Sequence, residues 1–359
     1  MTQTSEQVVG GTHLVVLTTV DGVVKDIDVA DGQTVLQAAY EAQTILPALC
    51  LHGSCGVCLG WVKSGEYAHD DYSPEAIGPL AGEGAALLCC TRPTSDMAIS
   101  LPYESSRIVD SAPPTREATI TGLDRVSQWV WRIRMTLTPD DMYGSAAEFD
   151  SGQYMQIRLP GSEQWRTYSL ANIGNWDGEL EFFIHQQQTG LMSDWLRSGS
   201  GTVGDVVTVR GPSGAFQLME NGTRPRWFIG GGSGLAPLLS MARRMAEWGE
   251  PQAVRIYLGV NTVEDVFCLG ELTELADQLT DVEVRICVWK PDGDLPESGH
   301  DKVVYVQGTP AETVGAALAR FPAPPDMYAC GPTPMVMALE NALADAEVSP
   351  DFVLMERFS

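Results

Sequence analysis

The stretch Cys50-Leu-His-Gly-Ser-Cys55-Gly-Val-Cys58 spaces three cysteines as C-x4-C-x2-C, and a fourth follows after thirty residues if it is Cys89 or thirty-one if it is Cys90. Four thiolates at this spacing are the ligand set of a [2Fe–2S] cluster. Two irons need a loop that wraps them, and Gly53 and Gly56 let the backbone pass close and turn its amides toward sulfur. Two other metal readings fail on spacing. A Rieske centre needs a C-x-H and a C-x2-H pair; Cys50-Leu-His52 supplies the first, but no histidine lies three residues after any cysteine. A zinc ribbon needs two C-x2-C pairs, and Cys55/Cys58 is one. Cys268, Cys287 and Cys330 stand apart, the first two reading as small buried hydrophobes.

Around this loop, His13–Val20 and Val23–Val29 alternate like strands across an Asp21-Gly22 hairpin. Asp31-Gly32-Gln33-Thr34 then offers a cap for an apolar-periodic helix over Val35–Ala42, and Pro47 opens the cysteine loop. Residues 12–104 resemble the plant-type ferredoxin domains, of β-grasp fold, fused to bacterial oxygenase reductases. In that family the last ligand sits three residues before the arginine of a C-x-x-R-P run, here Cys89-Cys90-Thr91-Arg92-Pro93, so the resemblance implies Cys50, Cys55, Cys58 and Cys89 as cluster ligands.

Residues 105–117 are poor in large apolar side chains and stiffened by Pro113-Pro114, the composition of a linker. Over 118–218, short apolar runs (Trp129–Leu137, Tyr154–Leu159, Leu180–His185, Val206–Val209) alternate with Gly, Pro and Asp turns, which predicts an antiparallel barrel with one short helix at Ser193–Arg197. Within it, Arg166-Thr167-Tyr168-Ser169 is similar to the R-x-Y-[ST] element of the ferredoxin reductase superfamily. That resemblance implies an arginine on flavin phosphate, a tyrosine bordering the ring and a serine hydroxyl at its N5, with FAD as the flavin. Gly190-Leu191-Met192-Ser193 follows, a glycine turn with a serine cap opening a helix whose amides suit a phosphate. The family often carries an arginine on the preceding strand where this chain has His185. Gly211-Pro-Ser-Gly214-Ala-Phe216 resembles the turn that closes the family's barrel.

After Asn221-Gly222 the pattern becomes strand, glycine loop and helix: Arg226–Ile229, Gly230-Gly231-Gly232-Ser233-Gly234, and Leu238–Trp248. Strands at Val254–Leu258, Val282–Val288 and Met327–Ala329 alternate with helices at Glu271–Leu279, Thr313–Arg320 and Met335–Ala346, which predicts a parallel, Rossmann-like sheet over residues 222–359. The loop fails the strict G-x-G-x-x-G test because Pro237 holds the last position, but its glycine amides and helix start still suit the pyrophosphate of a nicotinamide dinucleotide. Cys330-Gly331-Pro332 looks like the family's C-G-P element beside the nicotinamide. Glu356-Arg-Phe358-Ser359 resembles its closing acidic-x-aromatic signature, which implies that Phe358 covers the flavin and yields to the nicotinamide. The run Gly259–Phe267 contains no Arg or Lys for a 2′-phosphate, which favours NADH over NADPH.

The chain of 359 residues has room for such a multidomain α+β and α/β assembly, and its composition, 44% hydrophobic and 19% charged, is that of a soluble globular protein. A net charge of −25 argues against nucleic acid or anionic lipid as partner. No apolar run reaches a membrane span and the start, Met1–Gly11, is polar, so a cytoplasmic protein is expected. Residues 1–104 hold thirteen acids against Lys25, Lys63 and Arg92, an acidity suited to docking on a basic patch.

NADH gives an electron pair while a [2Fe–2S] centre accepts one electron, and flavin reconciles the two. The resemblance over residues 12–359 therefore implies an NADH-dependent reductase component that hands electrons to an oxygenase or hydroxylase. Catalytic roles fall to Ser169, Cys330, Glu356 and Phe358. The Leu87–Thr91 run and the Leu101–Ile108 exit look more like reductases of soluble di-iron monooxygenases acting on hydrocarbons or phenols than like those of Rieske aromatic-ring dioxygenases. A redox sensor without turnover is a third reading, and the intact Ser169, Cys330 and Phe358 elements speak against it.

Overall fold

The computed structural model describes residues 11–77, 83–219, 222–321 and 324–358, so the polar stretch before Gly11, Asn221 and Ser359 lie outside the described residues. The chain forms two units that part between Ala112 and Pro113.

The first unit follows its hydrophobic alternation. Val15, Leu17, Ile27 and Val29 point inward from β1 (Thr12–Thr18) and β2 (Val24–Ala30), an antiparallel hairpin. Helix α1 (Val35–Glu41) begins at Thr34 in a capping box with Gln37 and lays Val35, Leu36, Ala38 and Ala39 on the same core. β3 (Leu59–Ser64), β4 (Tyr67–His69), the single turn α2 (Pro74–Ile77), β5 (Ala85–Leu87), β6 (Thr91–Pro93) and β7 (Met97–Ser100) complete it. The sheet runs β2-β1-β7-β3-β5 with β1 and β7 parallel, the grasp expected of a ferredoxin, and β4 pairs with β6. Part of the stretch expected to link domains folds back here. Ile108 is buried in the core, Val109 bridges Ile45, and Lys25 pairs with Asp110 at 2.7 Å.

The second unit opens with β8 (Thr115–Arg125), β9 (Val130–Leu137), β10 (Tyr154–Arg158), β11 (Trp165–Ser169), β12 (Glu179–His185), α3 (Leu191–Arg197) and β13 (Val206–Ser213). Its strands run antiparallel in the order β11-β10-β13-β8-β9-β12, and the Leu170–Phe182 bridge joins the two ends into a barrel. Ile120, Ile133, Met155, Ile157, Leu180 and Phe182 fill its interior.

There follow β14 (Arg226–Gly231), α4 (Leu235–Trp248), β15 (Val254–Val260), α5 (Leu269–Gln278), β16 (Val282–Val288), β17 (Val303–Gln307), α6 (Pro310–Leu318), β18 (Asp326–Pro332), α7 (Thr333–Asp345) and β19 (Val353–Phe358). All six strands are parallel, ordered β17-β16-β15-β14-β18-β19. Helices cover both faces. Phe228 of β14 packs with α4 and α5, while Trp227 and Ile229 pack with α6 and α7. The first of these cores continues into the barrel through Val130, Ala171, Phe183 and Phe216.

Candidate functional site

The cysteine loop lies between α1 and β3, and its backbone is bent where the sequence places glycine. Gly53 and Gly56 hold φ of 77° and 79°, and Leu51 joins them at 65°, a strained value for a branched side chain. A Cβ on Gly56 would overlap the Ala76 carbonyl oxygen, and one on Gly53 would stand 2.7 Å from Cys90 Sγ. The bend aims amides at sulfur: Ser54 N donates to Cys50 Sγ at 3.2 Å and Cys50 N to Cys55 Sγ at 3.5 Å. Cys55, Cys58, Cys89 and Cys90 are buried and Cys50 is half-buried.

The loop and the turn after β5 bring the thiols together. Cys50 meets Cys55, Cys58 meets Cys89, and Cys50 also meets Cys89. This bonding holds the Cys50 and Cys58 thiols below the ordinary range and pushes Cys55 and Cys89 above it. No cysteine is in a disulfide, and among the described residues no three His, Cys, Asp or Glu converge on a single ion. Four sulfurs in one connected group, with amides turned toward them, fit a two-iron cluster. Cys90 Sγ sits to one side against Gly53, 3.6 Å from Cys89 Sγ.

On the barrel, β11 carries Arg166, Thr167, Tyr168 and Ser169, with Tyr168 opposite Met155 and Ser169 opposite Tyr154 of β10. Arg158 and Arg210 stack on Trp165 at 4.9 and 4.2 Å, which anchors the head of the strand. Arg166 bonds only neutral groups, the Trp165 carbonyl at 3.0 Å and the Gln164 side chain at 2.7 Å, and among the described residues it has no acidic partner. The Thr167 hydroxyl is buried without a hydrogen-bond partner among the described residues. Tyr168 packs on the barrel core, and burial pushes its phenol up. An arginine without a carboxylate in so acidic a chain, beside an orphaned buried hydroxyl, fits a bound phosphate-bearing flavin.

The next element needs a correction. Helix α3 starts from Gly190, whose φ of 129° suits glycine, and contains Leu191, Met192 and Ser193. Ser193 is not the cap: its buried hydroxyl accepts from Gln187 N at 2.9 Å and ties down the loop after β12. Arg197 Nη2 donates to the Gln187 and Gln188 carbonyls at 2.6 and 2.9 Å, fixing the same loop. His185 stands exposed at the end of β12.

In the parallel sheet the strand order reverses between β14 and β18, the place where such sheets bind ligands at the carboxyl ends of their strands. Gly230 and Gly231 end β14, and Gly232, Ser233 and Gly234 form a 3-10 turn into α4. Gly230 lies in register with Cys330. A Cβ on Gly234 would overlap the Cys330 carbonyl, and one on Gly231 would meet Pro332 and Met335, so this junction closes only with glycines. On the other side of β18, Cys330 pairs with Glu356 and Pro332 with Phe358 of β19. Burial raises the Cys330 thiol well above its ordinary range, with Glu356 adding to the shift. Gly331 completes the floor, and Phe358 packs on the core shared with the barrel.

The sequence reading missed one residue here. Lys290, past the end of β16, is brought to the second strand's exit, its amide donating to the Asn261 carbonyl at 2.8 Å and its ammonium lying 3.7 Å from the Trp289 ring. No local signal marks it, because Asn261 and Lys290 are 29 positions apart in the chain.

Comparison with known proteins bears on all three regions. Residues 18–94 match the 2Fe-2S iron-sulfur cluster binding domain, 117–218 the oxidoreductase FAD-binding domain and 228–341 the oxidoreductase NAD-binding domain. The chain is 32% identical to the toluate 1,2-dioxygenase electron transfer component of Pseudomonas putida, over 97% of this chain and 99% of that protein. It is 31% identical to the propane 2-monooxygenase reductase component of Rhodococcus jostii (strain RHA1), over 93% and 89%. The crystal structure of the Amycolatopsis cytochrome P450 reductase GcoB superposes with a TM-score of 0.73 at 27% identity, covering 96% of this chain and 98% of that one. With its [2Fe–2S], FAD and NADH domains in this order, the chain belongs to the NADH-dependent ferredoxin–flavin reductases that serve as electron transfer components of bacterial oxygenases.

Proposed function

We propose that this protein is the cytoplasmic reductase component of a soluble di-iron monooxygenase acting on a hydrocarbon or phenol, drawing electrons from NADH and delivering them to the hydroxylase. The observation that carries the choice is the Leu87-Leu88-Cys89-Cys90-Thr91 run with the Leu101–Ile108 exit, which looks more like the di-iron group than the Rieske group. The similarity to a propane 2-monooxygenase reductase supports it. Among the described residues no helix is long and apolar enough to cross a membrane.

In this reading Cys50, Cys55, Cys58 and Cys89 hold the cluster. Cys50 is half-buried and His52 exposed, so a cluster held here would be nearest to solvent on their side. Arg166, Thr167 and the Gly190–Ser193 segment hold FAD phosphates, Tyr168 borders the ring and Ser169 offers it a hydroxyl. Gly230, Gly231, Gly232, Ser233 and Gly234 turn amides to the NADH pyrophosphate, since a chain this close to Cys330 leaves no side chain in the way. Cys330, Gly331 and Pro332 floor the nicotinamide place. Glu356 lies across the β18–β19 ladder from Cys330 and would keep that thiol in place, and Phe358 would cover the flavin face and yield to the nicotinamide. Bound FAD supplies the conversion of an electron pair from NADH into single electrons for the [2Fe–2S] cluster.

The toluate 1,2-dioxygenase relative, at 32% over 97% of the chain, favours a second reading in which the acceptor is a Rieske dioxygenase. Reconstitution with purified acceptors decides between them. NADH-dependent product formation with a di-iron hydroxylase and none with a Rieske oxygenase is expected; the reverse pattern overturns the assignment.

A further inference from the structure

Cys90 is a fifth thiol at the cluster loop, beyond the four that the spacing requires. It is 3% exposed, and its Sγ lies 3.6 Å from that of Cys89. Its seat is on the ligand loop itself, because a Cβ on Gly53 would stand 2.7 Å from this sulfur. Cys287 shows the contrasting case, a cysteine buried among Trp227, Ile229, Tyr257 and Ala311 as an ordinary small hydrophobe. Cys90 instead has the sulfurs of Cys89, Cys58 and Cys50 within electrostatic reach.

The local backbone permits an exchange. β5 ends at Leu87 and β6 begins at Thr91, so residues 88–90 form a turn outside both ladders, with Cys90 N bonded to the Leu87 carbonyl at 2.8 Å. Moving a cysteine from one staggered χ1 well to the next carries its sulfur about 3 Å. That is comparable with the 3.6 Å between the two thiols, so the exchange calls for a side-chain rotation with a shift of the turn, which the Leu88 N–Cys58 O and Asp70 N–Cys90 O bonds hold at 2.9 Å each.

We propose that Cys90 is a reserve ligand for the cluster, taking the fourth position when Cys89 is lost or its bond to iron breaks. This rests on the assignment of Cys50, Cys55, Cys58 and Cys89 as the resident ligands. The exchange is redox-neutral: the bond from iron to Cys89 sulfur breaks, Cys90 gives up its thiol proton and bonds iron through sulfur, and the proton passes to Cys89. Four thiolates ligate before and after.

The test uses the full-length protein carrying Cys89→Ala, Cys90→Ala or both, reading iron and acid-labile sulfide per flavin, visible absorbance, and the EPR spectrum of the reduced protein. Cys89→Ala is expected to keep most of its iron and sulfide with shifted g-values, Cys90→Ala to match the parent, and the double variant to lose the cluster while keeping flavin. Loss of the cluster in Cys89→Ala with flavin retained overturns the proposal, as does equal loading of Cys89→Ala and the double variant. Where alanine lets the pocket collapse, Cys89→Ser keeps its volume. Identical spectra for Cys89→Ser and Cys89→Ser/Cys90→Ala then mean that the serine oxygen ligates and Cys90 does not, which also overturns it. A parent protein without iron contradicts the underlying ligand assignment rather than the exchange.

Discussion

Glu181 of β12 and Arg243 of α4 meet at 2.5 Å, and this pair fastens the barrel to the nucleotide-binding layer. The carboxylate is 8% exposed and also takes a bond from Arg132, which reaches on to Glu271 of α5 at 2.8 Å. Arg243 donates in addition to the Ala171 carbonyl at 2.9 Å, and Ser240 to that of Asn172 at 2.6 Å. Removing the buried carboxylate leaves Arg243 with the Ala171 carbonyl and no acidic partner, and leaves Arg132 with Glu271 alone. Because Arg132 and Arg243 keep partial solvent access, Glu181→Ala is expected to cost about 2–3 kcal/mol, below the cost of breaking a fully buried pair. Thermal unfolding followed by flavin release should shift down while the cluster spectrum stays; an unchanged midpoint would show that the network does not hold the two layers.

Gly234 lies against the Cys330 carbonyl with no room for a Cβ. Both neighbours are backbone, so Gly234→Ala must push the glycine turn away from β18, at roughly 1–3 kcal/mol. The KM for NADH should rise by about tenfold or more, the equivalent of about 1.4 kcal/mol, with flavin and cluster absorbance unchanged. An unaltered KM would mean that this turn does not hold the dinucleotide.

Much of this site was legible in the sequence because its signals are local. Cys50, Cys55 and Cys58 sit at fixed short offsets, and the Arg166–Ser169, Gly230–Gly234 and Cys330–Pro332 elements are contiguous. What escaped depends on distant pairing. The end of the chain shows in sequence only the Glu356–Ser359 signature and no strand, yet Val353–Phe358 is β19, a strand by virtue of its parallel register with β18. Ser193 reads as a cap because serine before a helix usually is one, but Gly190 opens the helix and Ser193 serves the loop. Motif order suggests separable barrel and nucleotide modules. Packing joins them, since Val130, Ala171, Phe183 and Phe216 share one core with Leu235, Leu238 and Leu239. A chain cut after Gln217 would leave that apolar surface in water, and a barrel fragment so made should aggregate.

Acid should weaken the ferredoxin unit through Asp21. Its carboxylate accepts from Thr19 Oγ1 at 2.5 Å and from Ser105 Oγ and N at 2.7 and 2.9 Å, bonds that hold its pKa at about 2 against an ordinary 3.8. Between those values the unfolded chain binds the more protons, so stability rises with pH there. The contribution is complete above the unfolded value and disappears as pH falls through the folded one. Denaturant unfolding of the parent and Asp21→Asn should therefore differ near neutral pH and converge toward about pH 2; a gap that does not close would contradict the sign.

Docking of the acidic ferredoxin on its oxygenase should be salt-sensitive. Thirteen acids against three bases in residues 1–104 give a long-range field, and the screening length falls from about 10 Å at 0.1 M salt to about 3 Å at 1 M. Coupled turnover should drop across that range while reduction of ferricyanide by NADH persists. Equal coupling at both ionic strengths would remove charge as the guide.

The relay from NADH through FAD to the [2Fe–2S] cluster is tested most directly by anaerobic titration of the purified protein and of Cys55→Ser with NADH, followed by visible absorbance and EPR. In the parent protein both the flavin and the iron–sulfur bands should bleach and a reduced-cluster EPR signal should grow, with cytochrome c and ferricyanide both reduced. In Cys55→Ser only the flavin should respond, with ferricyanide reduction retained and cytochrome c reduction lost. A parent cluster that stays oxidised while its flavin is fully reduced, or a variant that still reduces cytochrome c at the parent rate, would contradict the relay.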